Sequence, residues 1–393
     1  MKTTPESFGG RATLLISHVG GMVDLVALPL WISGLIASAH FLPQKAGALV
    51  SLYIFGVLIS NVALAPIFMK VKSRIVATSG FALSALCFFS LTHAHGFPAY
   101  ALLHFTAGIG AGTGLSCVHG TIGRSKNPHR LFAIVNIGVC IFGIVFFAVA
   151  PHLLSIMGVS VIFIILGSLM VAATLACALA FPPISAEPKR EVYNGPIASK
   201  LSSRVFAFAG VAFMTAGQAA MFSFVQQVGL AHGFTASSIG LLLAGSAVLN
   251  LGAPILAGVL QHKLPATPVA VTGLFLHGVA SLVICFTLGF GPFVLAAGSL
   301  VFLTIFSHIF MFGFISKMDR SGRMAALTPS MLMVGTATGP FLAGTVVGAY
   351  GYPALGMTAA ALAWTSAACY FMAGNRAQDF VAMPVAIMGD AGE

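Results

Sequence analysis

Acidic side chains are nearly missing from this chain. Only eight of its 393 residues are Asp or Glu, and residues of either charge make up 7%. Soluble domains carry about 25% charged residues, so a water-exposed globular fold is excluded. Charges fall in short clusters between apolar runs longer than about 18 residues, the length that crosses a bilayer as a helix. Those runs lack the period-two alternation of a lipid-facing strand. A chain in lipid must satisfy its own backbone hydrogen bonds, so with the barrel excluded helices remain. Paired cysteines are lacking as well. Cys87, Cys117, Cys140, Cys177, Cys285 and Cys369 are scattered through the apolar runs with no CxxC spacing, which suggests neither a metal centre nor a disulfide framework. The glycines of Gly108–Gly114 are followed by no lysine and sit in an apolar run, so a phosphate-binding loop is excluded and no ATP-driven pump is implied. No cofactor is expected.

Twelve spans are expected, at roughly 13–38, 45–69, 75–93, 98–122, 131–152, 156–181, 205–231, 236–260, 269–290, 292–316, 324–349 and 352–374. The first follows Lys2 and Arg11 without a clean small-residue cleavage pattern, and reads as a retained span rather than a signal peptide. The connections alternate in character. Those after even-numbered spans are basic: Lys70, Lys72 and Arg74; Arg124, Lys126 and Arg130; Lys189 to Arg204; Lys263; and Lys317 to Arg323. With Lys2, Arg11 and Arg376 in the tails they hold 17 of the 18 Lys and Arg, leaving Lys45 for the other face. The positive-inside rule then puts both termini in the cytoplasm. The formal net charge of +10 is thus spread over short loops instead of one solvated face, which argues against nucleic acid as a partner.

The longest polar stretch, PPISAEPKREVYNGPIASKLSSR, divides the chain into an N-terminal half (1–181), a linker (182–204) and a C-terminal half (205–393). An internal repeat supports the division. Gly120–Ile134 resembles Gly313–Leu327 at an offset of 193, and the same offset pairs Gly47 with Gly240. Two parallel repeats of six spans, with a site between them at mid-membrane depth, are what a two-halved transporter shows.

The expected fold is therefore all-α and integral to the membrane: twelve transmembrane helices in two pseudo-symmetric six-helix bundles. That plan resembles the major facilitator superfamily, and local sequence agrees. In the fourth span, HFTAGIGAGTG (from His104) is similar to the family's arginine-plus-glycine signature, with His104 where an arginine often stands. GTATGPFLAG (from Gly335) resembles its glycine-proline helix motif. Asp319-Arg320-Ser-Gly-Arg323 resembles its DRxGR core, although the family usually places that loop after the second span, which here reads MKVKSR. The resemblance implies a monomer, a cytoplasmic gating loop at Asp319, Arg320 and Arg323 with Arg130 as the repeat partner, and a cavity lined by the first, fourth, seventh and tenth spans. The compact loops suit a bacterial inner membrane.

Asp24 stands out. The other seven acids fall in expected loops or tails, whereas Asp24 lies inside LLISHVGGMVDLVALPLW, about 16 Å from a helix start near Thr13. A carboxylate near the midplane costs about 3 kcal/mol on insertion scales, which marks it as a functional-site candidate against a structural carboxyl. Ser17 and Trp31 share its helix face. Gly20, Gly21 and Pro29 point to a first span that is broken or flexible. His18, His104, His119, His277 and His308 also fall in or near spans. On the cavity lining that the resemblance implies, His104 and His308 are the expected partners of Asp24 in handling protons, a chemistry suited to imidazole. Thr215, Gln218, Phe222 and Gln226 recur at helical spacing in the seventh span and join Ser17 and Trp31 as expected cavity residues.

The function these features favour is secondary active transport of a small organic solute, driven by protons, and the family resemblance leans towards export over import. The alternative is proton-linked uptake of an organic acid. The absence of Lys or Arg from the middle of any span counts against a strongly anionic solute. A polytopic membrane enzyme and a receptor or channel are more distant, since the two-halved repeat fits neither.

Overall fold

The computed structural model describes residues 4–183, 201–261, 263–318 and 323–381. The expected loop residues Asp319 and Arg320, and most of the expected linker, lie outside them. Among the described residues every regular element is helical. They are α1 (Phe8–Gly21), α2 (Asp24–Ala37), α3 (Pro43–Leu64), α4 (Ser73–Leu91), α5 (Gly96–Gly123), α6 (Pro128–Met157), α7 (Ser160–Ala180), α8 (Leu201–Ala231), α9 (Ala236–Leu260), α10 (Ala266–Phe286), α11 (Phe290–Met318) and α12 (Arg323–Val381).

Local sequence sets the starts. Ser7 caps α1 by accepting a hydrogen bond from the Gly10 N–H at 3.2 Å, and Thr235 caps α9 through the Ser238 N–H at 3.2 Å. Pro43 and Pro128 open α3 and α6 in the first turn, where the missing N–H costs nothing.

Eleven helical runs among the described residues are long and apolar enough to cross a bilayer. Three of them are composite, one merely continuing α3 through a 3-10 helix at Ala65–Lys70. The first joins α1 and α2 across a break at Met22 and Val23, so the expected interruption of the first span is real. The last runs from Ser330 to Gly374, 45 residues, about twice what one crossing needs. Within it Gly351 takes φ 78°, a left-handed conformation that breaks the helix where glycine is tolerated. Divided at Gly351, that run gives the two last expected spans.

Lipid tails are as apolar as leucine, so helices in a bilayer associate through close packing. The glycines of α5 show how. A Cβ on Gly108 would collide with the Tyr53 carbonyl oxygen, and one on Gly112 with Ser60 Oγ, both on α3. Gly110 and Gly114 face α4, where a Cβ would come to 2.5 Å from the Gly80 oxygen and 2.6 Å from the Phe81 ring. One stretch of sequence therefore carries two small-residue faces, each with a spacing of four, and α5 is wedged between two neighbours.

The two halves meet with the symmetry that the repeat implies. Ser33 of α2 accepts a hydrogen bond from Gln226 Nε2 of α8 at 3.2 Å, across a separation of 193 residues. Gly47 of α3 presses on the Pro340 carbonyl of α12, and Gly240 of α9 presses on the Phe147 carbonyl of α6. A Cβ on Gly240 would come to 2.7 Å from the oxygen it faces, and one on Gly47 closer still. Pro340 and Phe147 are related by the same offset as the two glycines.

Candidate functional site

Asp24 is the first residue of α2, immediately after the break. No other Asp or Glu falls in any of the eleven runs. It is 6% exposed. A helix N-terminus carries unpaired N–H groups and the positive end of the helix dipole, which favour a carboxylate there. Pro29 lies one turn further along α2 and offers no N–H to the carbonyl of Leu25, so the segment after the break is held by fewer backbone bonds than a regular helix. The Tyr53 hydroxyl is fully buried and has no hydrogen-bond partner among the described residues.

Trp31 and His104 meet directly. The Trp31 indole N–H donates to His104 Nε2 at 3.2 Å, and His104 Nδ1 lies 2.7 Å from the Tyr100 carbonyl. An acceptor Nε2 and a donor Nδ1 define a neutral imidazole with both nitrogens occupied. Around this pair sits an aromatic cluster drawn from five spans. Trp31 lies 5.2 Å from Tyr53 and 5.6 Å from Phe88, and His104 lies 5.8 Å from Phe163, between ring centroids. Trp31, Tyr53, Phe88, His104 and Phe163 are all 0% exposed. Trp31 and His104 thus belong to the packed interior of the N-terminal half.

The other expected site residues are placed as follows. Ser17 turns towards α7, with Oγ 3.1 Å from Cys177 Sγ. Thr215 bonds back to the Val211 carbonyl at 3.1 Å and abuts Gly335 of α12. Phe222 is buried and Gln218 half-buried on α8. Gln226 reaches across to Ser33, where Gln227 Nε2 also donates at 3.1 Å. His308 packs on Phe312 of its own helix at 4.6 Å. It stands on α11, which packs on α10, α9 and α8, whereas Asp24 stands on α2, which packs on α8, α3 and α6. The two residues are therefore on helices that are not close neighbours. Arg130 lies beside Glu6 and Arg11 in a shallow pocket at the basic end of α1 and α6. There Glu6 accepts a hydrogen bond from the Lys126 N–H at 2.9 Å; this bond, with the Lys126 charge, holds the Glu6 carboxyl below its ordinary value.

Two constellations carry no local sequence signal. His18 and His119 are paired, Nδ1 to Nε2, at 3.1 Å. Asn61 accepts from Ser116 Oγ at 2.6 Å and donates to Met333 Sδ at 3.3 Å, so it links α3, α5 and α12. Ser33 could have been found by applying the repeat offset to the polar residues of the seventh span.

The sequence model of the Major Facilitator Superfamily matches residues 13–318. The chain belongs to that superfamily. Solved structures agree in fold. A bacterial homolog of the human lysosomal transporter Spinster, inward-facing and occupied, superposes with a TM-score of 0.75 at 14% identity, covering 96% of this chain and 99% of that one. A POT family transporter in complex with a thioalcohol-conjugated peptide gives 0.74 at 12% identity, with 96% and 99% covered. The nucleoside transporter NupG gives 0.74 at 14% identity, with 93% and 98% covered. No curated protein matches in sequence. This superfamily member is a multi-pass membrane transporter with two pseudo-symmetric bundles and a small-molecule substrate. Its expected identity as a transporter and not an enzyme stands on the family and on these structures.

Proposed function

We propose that this transporter couples the movement of a small organic solute to protons, that Asp24 is the proton carrier, and that it acts as a monomer exporting from the cytoplasm of a bacterium across the inner membrane, with both termini inside. One observation carries the coupling. The single carboxylate of the candidate spans is buried at the break of the first span, on α2, whose far end contacts the opposite half through Ser33. A carboxylate there is tolerated neutral or charged according to what faces it, and its helix joins both bundles. Gain or loss of one proton can therefore bias which arrangement of the halves is stable.

The occupied nitrogens of His104 favour Asp24 over His104 as the carrier. Protonating His104 Nε2 would set its new N–H against the indole N–H of Trp31. His104 then serves to hold Trp31 in place, and His308 remains a second candidate. On α8, Gln226 closes the contact between the halves, with Phe222 and Gln218 one and two turns before it as cavity candidates, whereas Ser17, Trp31 and Thr215 act from within one half. The gating role of Asp319, Arg320, Arg323 and Arg130 and the boundaries at 181 and 205 rest on the repeat and the family resemblance. The solute is uncharged or cationic, since the spans offer a carboxylate and no Lys or Arg in mid-span.

The test is accumulation by proteoliposomes under an imposed pH gradient, over a panel of amines, common drugs and aromatic acids. One solute class should move with the gradient and stop when it is collapsed. Movement that follows a sodium gradient and ignores pH would refute the coupling. Gradient-driven uptake of aromatic acids alone would favour the organic-acid reading.

A further inference from the structure

The His18–His119 pair is absorbed neither by the family nor by the proposed cavity. We infer that it is a proton way-station between Asp24 and the basic face of the protein, an inference that rests on the proposed coupling role of Asp24. His18 is on α1 and is 2% exposed. Its Nδ1 lies 3.1 Å from His119 Nε2 of α5, and the rings are 5.1 Å apart. His18 Nε2 is buried without a well-formed hydrogen bond, and the Asn136 side chain of α6 faces the same imidazole. A buried imidazole nitrogen with at most a loose partner is free to take up a proton. His18 stands seven residues after Arg11, about 10 Å along α1, and six before Asp24, across the break at Met22 and Val23. It thus lies between the carboxylate and the pocket lined by Glu6, Arg11 and Arg130.

The surroundings suit a neutral relay. Against α1 pack α7, α6 and α5. From α7 comes Cys177, engaged with Ser17; from α5 come His119 itself and Cys117, which lies beside Cys177; from α6 come Asn136, which faces His18, Phe132, at 5.5 Å from the His119 ring, and Arg130 at the pocket. The proton count closes without any other reactant. In the neutral pair His18 Nδ1–H donates to the Nε2 lone pair of His119, whose own proton is on Nδ1. A proton from Asp24 binds the free Nε2 of His18. The shared proton passes to His119 Nε2, and His119 releases its Nδ1 proton. One proton enters from Asp24 and one leaves towards the basic face; both rings end as the other tautomer, and rotation of each imidazole restores the starting arrangement.

The test needs no transported solute. Oriented proteoliposomes are subjected to a pH jump on the basic face, and protonation of Asp24 is followed as the carboxyl C=O infrared band that disappears in Asp24→Asn. The probe is the proton alone. His18→Gln and His119→Gln should each slow the band at least tenfold while leaving its final amplitude intact, and His93→Gln, on an exposed loop, should not. Full amplitude also reports that a variant is folded, so either one alone carries the test. An unchanged rate in both variants overturns the relay and leaves Asp24 as carrier. A wild-type chain with no Asp24-dependent band removes the coupling role and the relay together.

Discussion

Removing the His104 imidazole would leave the Trp31 indole N–H without its acceptor in a dry core. A stranded donor costs about 1–3 kcal/mol, and a cavity adds to it. His104→Ala should therefore lower the thermal stability of the detergent-solubilised protein clearly more than Trp31→Phe, which removes the donor and keeps an aromatic ring. Equal melting temperatures would show that the bond is weak. Glu6 supplies a pH-dependent contact outside the membrane. Its folded-state pKa lies below the ordinary carboxylate value of about 4.3, so the contact to Lys126 is fully present above that value and fades as pH falls towards and through the depressed one. Amide exchange at Lys126, corrected for intrinsic rate, should lose protection over that acid range in the wild type and show little protection at any pH in Glu6→Gln. At this scale Asp24 was legible from sequence because a lone carboxylate in an apolar run has few explanations. The His18–His119 pair was not, because 101 residues separate its members and only the packing of α1 on α5 brings them together.

Among the elements, α5 is the most constrained. Its glycines at 108 and 112 fit α3, and those at 110 and 114 fit α4. For Gly108→Ala the obstruction is a backbone carbonyl of α3 and cannot rotate away. The substitution should cost about 1–3 kcal/mol, the range of overpacked cores, whereas Gly123→Ala, with nothing within 4 Å, should be neutral or slightly stabilising. Melting temperatures of the two variants check the contrast. The spans themselves were readable because hydropathy over 18 residues and more is a strong signal in lipid. The break after Gly21 was readable from Gly-Gly followed by an acid and a proline. Which helix each glycine faces was not, since four alternate glycines can serve one neighbour or two, and only the angular placement of α3 and α4 decides.

For the whole molecule, the repeat offset predicts contacts as well as likeness. Ser33 with Gln226, and Gly47 on Pro340 beside Gly240 on Phe147, all close the halves at the ends of α2, α3, α6 and α9 away from the basic loops. A disulfide between Ser33→Cys and Gln226→Cys should form under mild oxidation and stop solute movement, with reduction restoring it; transport that continues with the bond formed would mean that this end does not open. The sequence revealed the two halves through Gly120–Ile134 and Gly313–Leu327. It could not reveal that equivalent residues touch on the symmetry axis, which depends on how the bundles are docked. The account turns on Asp24. The most direct measurement is proton movement into proteoliposomes carrying an internal pH dye, wild type against Asp24→Asn, driven by a gradient of the solute class found in the panel. Wild type should move protons with the solute while Asp24→Asn binds and exchanges the solute with no proton signal. A variant that couples protons as well as wild type would contradict the account.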